Sequence, residues 1–123
     1  MEYFDSITKE IIGAAYTVSN TLGCGFLEKV YENALYIEME KADLTVERQK
    51  TLQVFYEGQI VGDYCADLYV EDEIIVELKA VKALDEKHHA QLMNYLKACN
   101  KRCGLLINFG NPKVEIKRIL NGY

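Results

Sequence analysis

Hydrophobic positions in the N-terminal third of the chain recur at helical spacing. Ile7, Ile11, Ala14, Ala15, Val18 and Leu22 mark one face of a helix predicted from Ser6 to Leu22, with Asp5 or Ser6 available as its N-cap. Gly23-Cys24-Gly25 ends it, because glycine enters the left-handed C-terminal conformation without a Cβ penalty. A second helix, from about Leu27 to Lys41, carries an apolar stripe of Tyr31, Ala34, Leu35 and Met39. The pattern then changes. Thr51 to Tyr56 and Ile60 to Val70 are rich in β-branched and aromatic residues, and Glu57-Gly58-Gln59 between them reads as a hairpin turn. A second turn at Glu71-Asp72-Glu73 leads into the strand Ile74 to Lys79. Helical spacing returns from Leu84 to Cys99, with Ala90, Leu92, Met93, Leu96 and Cys99 as core contacts. Gly104 to Phe109 is a nearly all-apolar run, as expected of a strand buried on both faces. Asn108 to Pro112 turns the chain, and Val114 to Ile119 makes a final alternating strand.

The predicted order is helix, helix, three strands, helix, strand, strand. A helix between the third and fourth strands permits a parallel crossover, so the fold class is α/β, a mixed central β-sheet flanked by helices. With 123 residues the chain is one domain's worth, expected to span 1–123. Half its residues are hydrophobic and 27% charged, the balance of a globular protein rather than a disordered one. No apolar run approaches the roughly 18 residues of a membrane span, and Met1-Glu2-Tyr3-Phe4-Asp5 lacks the basic start of a signal peptide. A cytoplasmic protein without a membrane partner is expected. Cys24, Cys65, Cys99 and Cys103 form no CxxC pair, and three of them lie in apolar or helical surroundings, which suits reduced, partly buried thiols. A four-cysteine metal or iron–sulfur site is the alternative, disfavoured by the absence of short paired spacings.

Charge changes the picture in its distribution more than in its sum. The net charge is −5, but residues 1–76 hold 5 Lys/Arg against 15 Asp/Glu, while residues 77–123 hold 9 against 4. Such asymmetry can build a local basic surface on an acidic protein, although any one of these lysines serves equally well as solvation of a helix or strand face.

The chemistry concentrates at the third strand. Glu77 and Lys79 are two apart, so they share a sheet face while Ile74, Val76 and Leu78 take the other. Burying a carboxylate and an amine on a central strand is costly unless they meet partners or a metal. Asp67 and Glu77 are equidistant from the turn at Asp72, so antiparallel pairing sets them opposite each other, ~5 Å apart at Cβ. Two carboxylates that close repel, and a divalent cation with hard oxygen ligands, Mg²⁺ or Mn²⁺, removes the repulsion. Lys79 beside them can orient or deprotonate a metal-bound water and offset phosphate charge. The structural alternative is a plain Glu–Lys pair on an exposed face, with Asp67 unrelated.

These residues resemble a known family. Asp67, nine residues, then Glu77-Leu78-Lys79 is similar to the D…ExK core of the PD-(D/E)XK nuclease superfamily. Gly25-Phe26-Leu27-Glu28-Lys29-Val30-Tyr31 resembles the GxxExxY motif of a small-protein family assigned to it, and Gln91-Leu92-Met93-Asn94-Tyr95 resembles the QxxxY motif of its RecB-like branch. The Gly104-to-Gly110 segment looks like the family's closing strand, and the likeness spans roughly residues 7–120. It implies a restriction-endonuclease-like αβββαβ core with an extra N-terminal helix. It also implies Asp67, Glu77, the Leu78 backbone carbonyl and Glu28 as metal ligands, and Lys79 as the catalytic lysine. Glu28 reads equally as a solvated carboxylate favouring the helix dipole, and Tyr31 as a core contact. Gln91 and Tyr95 share one helix face; with Lys82 from the basic segment they are the expected nucleic-acid contacts. His88, three before Gln91 on the same side, reads first as a surface or capping histidine and second as a site residue.

The expected function is metal-dependent hydrolysis of nucleic acid, DNA foremost; RNA or single-stranded ends would look the same in sequence. The alternative is a nuclease-fold binding or assembly module with little turnover, for which the acidic net charge and small size speak. Two departures from the family pattern stand out: Ala66 occupies the place of the usual proline, and no long basic arm or recognition domain is present. A homodimer or partner would be needed to enlarge the groove.

Overall fold

The computed structural model describes residues 2–122. Among them the elements run α1 (Glu2–Leu22), α2 (Glu28–Lys41), β1 (Val46–Tyr56), β2 (Gln59–Val70), β3 (Ile74–Lys79), α3 (Glu86–Ala98), β4 (Cys103–Asn108) and β5 (Glu115–Leu120). The strands form one sheet in the order β1-β2-β3-β4-β5. Neighbours pair antiparallel except β3 and β4, which run parallel because α3 carries the chain back across the sheet. The predicted architecture is therefore present: a mixed sheet between helices, with an αβββαβ core that α1 precedes and β5 closes. No helix among the described residues is long and apolar enough to cross a membrane.

Each face of the sheet has its own core. On one face, Ile11, Ala15, Tyr31, Leu35 and Met39 from α1 and α2 cover Leu68, Val70, Ile74, Val76, Leu78, Leu105 and Ile107. On the other, Leu92, Leu96 and Cys99 of α3 cover Leu52, Tyr64, Ala66, Tyr69, Ile75 and Leu106. All six residues of β4 are buried, as its apolar run required. Tyr31 is a core residue. Its ring stacks on Phe109 at 4.6 Å, and its hydroxyl donates to the Gly23 carbonyl at 2.7 Å, tying α2 to the α1 exit.

Several boundaries differ from the sequence reading. Helix α1 begins at Glu2, so Asp5 lies inside it and caps nothing; its carboxylate meets Arg118 of β5 at 2.5 Å. Strand β1 starts five residues earlier than expected, at Val46. The polar stretch Val46-Glu47-Arg48-Gln49-Lys50 looks like loop in isolation, but pairing with the far half of β2 makes it strand. Ala90 faces solvent instead of the core, and Ala34 is only half-buried, while Glu32 joins the buried residues of α2. Cys99 and Cys103 are buried as thiols, but Cys24 and Cys65 are exposed.

Both hairpin turns rest on left-handed backbone. Glu57 and Gly58 (φ 50° and 76°) connect the paired Tyr56 and Gln59, the two-residue geometry that matches strand twist. The loop after β3 is held differently. Asn108, fully buried, accepts from Val81 N at 2.9 Å and Gly110 N at 3.0 Å, and donates to Val81 O at 2.9 Å and Glu115 Oε1 at 2.8 Å. Asn111 adds a bond to the Lys82 carbonyl at 2.5 Å. This clamp fixes the segment that joins Lys79 to α3.

Candidate active site

The sheet is irregular where the candidate residues lie. Along β2, Tyr64 and Ala66 belong to the α3 core, yet Leu68 and Val70 belong to the opposite one. Strict alternation therefore breaks at Asp67. The β1–β2 ladder pairs Arg48 with Leu68 and Lys50 with Ala66 but skips Gln49 and Asp67 between them, and Gln49 holds a left-handed φ of 49°. A non-glycine residue in that conformation inside a strand is costly and persists only where its surroundings impose it. The β2–β3 ladder likewise stops at Leu68–Val76, one step short of Asp67 and Glu77.

Side chains fill that gap. Asp67 Oδ2 accepts from Leu78 N at 2.8 Å, and Glu77 Oε1 accepts from Asp67 N at 3.3 Å, so each carboxylate bonds the other's strand. Glu77 Oε1 also accepts from the Tyr64 hydroxyl. The expected opposition of Asp67 and Glu77 thus takes the form of a cross-linked splay rather than a regular ladder pair.

The candidate residues line two separate clefts. One, of about 290 Å³, lies between the sheet and α3 and is lined by Tyr64, Cys65, Glu77, Lys79, His88 and Gln91, with Tyr95 at its wall. The other, of about 250 Å³, lies towards α2 and is lined by Glu28, Glu32, Gln49, Asp67 and Leu78. Glu77 and Lys79 are in the first; Asp67 and Glu28 are in the second. Gln91, exposed, and Tyr95, half-buried, reach the first cleft as their shared helix face requires. Lys82 is exposed on the loop after β3 and lines neither cleft. His88 caps α3: its Nδ1 accepts from Asp85 N at 3.1 Å, while Asp85 accepts from the His88 and Lys87 backbone.

Electrostatics follow from burial. Desolvation pushes the Glu77 carboxyl up to about 7, and the Asp67 charge adds to the rise, against the opposing pull of Tyr64, the Asp67 amide and Lys79. Burial raises Asp67 as well, with Glu32 contributing and the Leu78 amide, Gln49 and Lys79 opposing. Burial and mutual repulsion thus lift both carboxyls above the ordinary carboxylate range.

Glu32 behaves differently. Burial by itself would push it up, but bonds from Lys29 at 2.9 Å, Arg48 at 3.1 Å and Gln49 at 2.6 Å hold it below the usual carboxylate range. It is a fixed anion on the α2 side.

Two carboxylates forced up by burial, flanking the Leu78 peptide and facing a lysine, form the hard-oxygen set that suits a divalent cation. A third acidic ligand is not assembled: Glu28 is exposed, and no group of three His, Cys, Asp or Glu among the described residues converges closely enough to hold a metal.

Tyr64, Gln49 and Glu32 were not legible as site residues. Tyr64 lies an odd number of positions from Asp67, which strict alternation would put on the opposite face, and Gln49 falls in the stretch that reads as loop. Only the strand irregularity unites them, and it has no signature in a single sequence.

A family model described as PD-(D/E)XK nuclease superfamily matches residues 5–119 of the chain. No curated protein and no solved structure matches it significantly.

Proposed function

Because this chain belongs to the PD-(D/E)XK nuclease superfamily, we propose that it hydrolyses phosphodiester bonds of DNA in the presence of Mg²⁺ or Mn²⁺. One observation carries the reading. Asp67 and Glu77 are joined across the β2–β3 splay by bonds to each other's strand, and Lys79 lines the same cleft as Glu77.

In this reading Asp67, Glu77 and the Leu78 carbonyl would hold the cation, with Glu28 of α2 as a further acidic ligand. The cation, when bound, supplies Lewis acidity toward the phosphoryl group. The Lys79 ammonium orients the attacking water and offsets the charge that grows on the phosphate oxygens. A bound cation would favour the ionised form of both carboxyls. Gln91 and Tyr95 meet the nucleic acid along α3, with Lys82 and Lys87 as phosphate contacts beyond the cleft. The Gly25–Tyr31 and Gln91–Tyr95 stretches support placement among the GxxExxY proteins and the RecB-like branch. Four free thiols suit work in a reducing cytoplasm. A second copy or a partner would extend the groove.

The test is incubation with linear duplex, circular duplex and single-stranded DNA and with RNA, in Mn²⁺ and in chelator, beside Glu77→Ala. Cleavage that needs Mn²⁺ and vanishes in Glu77→Ala is expected. If no substrate is cut and Mn²⁺ leaves the melting temperature unmoved, the reading is wrong. A second reading, a binding or assembly module with little turnover, draws on one observation: among the described residues no three His, Cys, Asp or Glu groups converge closely enough to hold a metal.

A further inference from the structure

Tyr64 belongs to none of the motifs that mark the site. Its side chain is nevertheless built into it. Tyr64 is 7% exposed within the α3-side core, and its hydroxyl donates to Glu77 Oε1. The Asp67 amide donates to that same oxygen at 3.3 Å. With both donors on Oε1, Oε2 is the oxygen left for an external partner. Tyr64 is in turn held by Tyr95: the rings stack at 3.8 Å with 11° between their planes. The contacts form a chain from α3 through β2 to β3.

We propose that Tyr64 is a positioning residue that fixes Glu77 through Oε1 and presents Oε2 to the divalent cation, and that Tyr95 acts on the site through Tyr64. The inference rests on the nuclease reading and deepens it. A glutamate turns about three side-chain bonds, and a ligand carboxylate that must be ordered at each binding event binds more weakly than one already held. The tyrosine hydroxyl supplies that order without competing for the cation. The stacked Tyr95 ring packs on one face of the phenol and holds it in plane.

Mn²⁺ alone is the probe. Chelator-treated wild type, Tyr64→Phe, Tyr95→Leu and the double variant are titrated by calorimetry, with melting curves in parallel. Tyr64→Phe keeps the ring and its stacking and removes only the hydroxyl. It should lower Mn²⁺ affinity roughly ten- to a hundred-fold while melting close to wild type. Tyr95→Leu should lower affinity in the wild-type background and change it by less than about twofold when Tyr64 is already Phe, since coupled residues do not add. Wild-type affinity in Tyr64→Phe, or an equal Tyr95→Leu effect in both backgrounds, overturns the proposal and leaves the nuclease reading standing. A wild type that takes up no Mn²⁺ overturns both. Should Tyr64→Phe fail to melt cooperatively, Tyr95→Leu decides alone, and unchanged affinity there refutes the idea.

Discussion

Glu77 shows how much one side chain's surroundings alter its chemistry. Its carboxyl is raised from 4.5 to about 7 by burial first and the Asp67 charge second. A carboxyl raised in the folded state binds more protons folded than unfolded across that window, so its contribution is greatest below pH 4.5 and is lost as pH climbs towards 7. Metal-free protein should therefore melt lower at pH 8 than at pH 5.5, by a free energy of at most ~2 kcal/mol, and less after discounting for the partial exposure of the site. Asp67, raised in the same direction, adds to the slope. Glu77→Gln should flatten it; an unchanged slope in thermal melts would place the pH sensitivity elsewhere. The roles proposed for the neighbours separate as cleanly. Lys79→Ala should lose hydrolysis and keep Mn²⁺ binding, because an ammonium is not a ligand, whereas Asp67→Asn should weaken Mn²⁺ binding first. Equal loss of both properties in Lys79→Ala, read by calorimetry and cleavage together, would contradict that division.

At the scale of elements, the loop between β3 and α3 decides whether Lys79 and the Gln91 face meet. Asn108 on β4 binds both the amide and the carbonyl of Val81, and Gly110 runs so close to that peptide that a Cβ there would overlap the Val81 carbonyl oxygen. Asn108→Ala leaves the Val81 amide and carbonyl without their buried partner, and should destabilise by ~2–4 kcal/mol. Gly110→Ala forces two backbones apart at ordinary φ and should cost at least as much, lowering the denaturant midpoint in urea unfolding. A change under ~0.5 kcal/mol in both variants would mean that the clamp is ornamental. The capping box at Asp85 and His88 completes the same junction and accounts for the histidine without catalysis.

At the scale of the molecule, the sheet's centre and edges differ in kind. β3 and β4 are buried on both faces and joined by the parallel crossover, while the β1–β2 hairpin ends in exposed Phe55, Tyr56, Ile60 and Val61. Amide exchange should be slowest in β3 and β4 and fastest at the hairpin tip, since protection follows the depth of the core. Exchange at the tip as slow as at Val76 or Leu105, measured by NMR, would indicate that something covers the hairpin in solution. The charge asymmetry also belongs to this scale: the basic C-terminal part contributes α3 and its Lys87, beside the cleft that holds Lys79.

The order of elements, the mixed sheet, the face shared by Glu77 and Lys79 and the face shared by Gln91 and Tyr95 were all readable in the chain. Each follows from a local period, 2.0 in strands or 3.6 in helices, that neighbouring residues set between them. The start of β1, the burial of Glu32, the break in alternation at Asp67 and the part played by Tyr64 were not. They arise where residues distant in sequence compete for the same space: Gln49 against Asp67, Arg48 against Glu32, Tyr95 against Tyr64. Such contacts depend on how two strands twist past one another and on which helix settles over them. Only the assembled sheet fixes that.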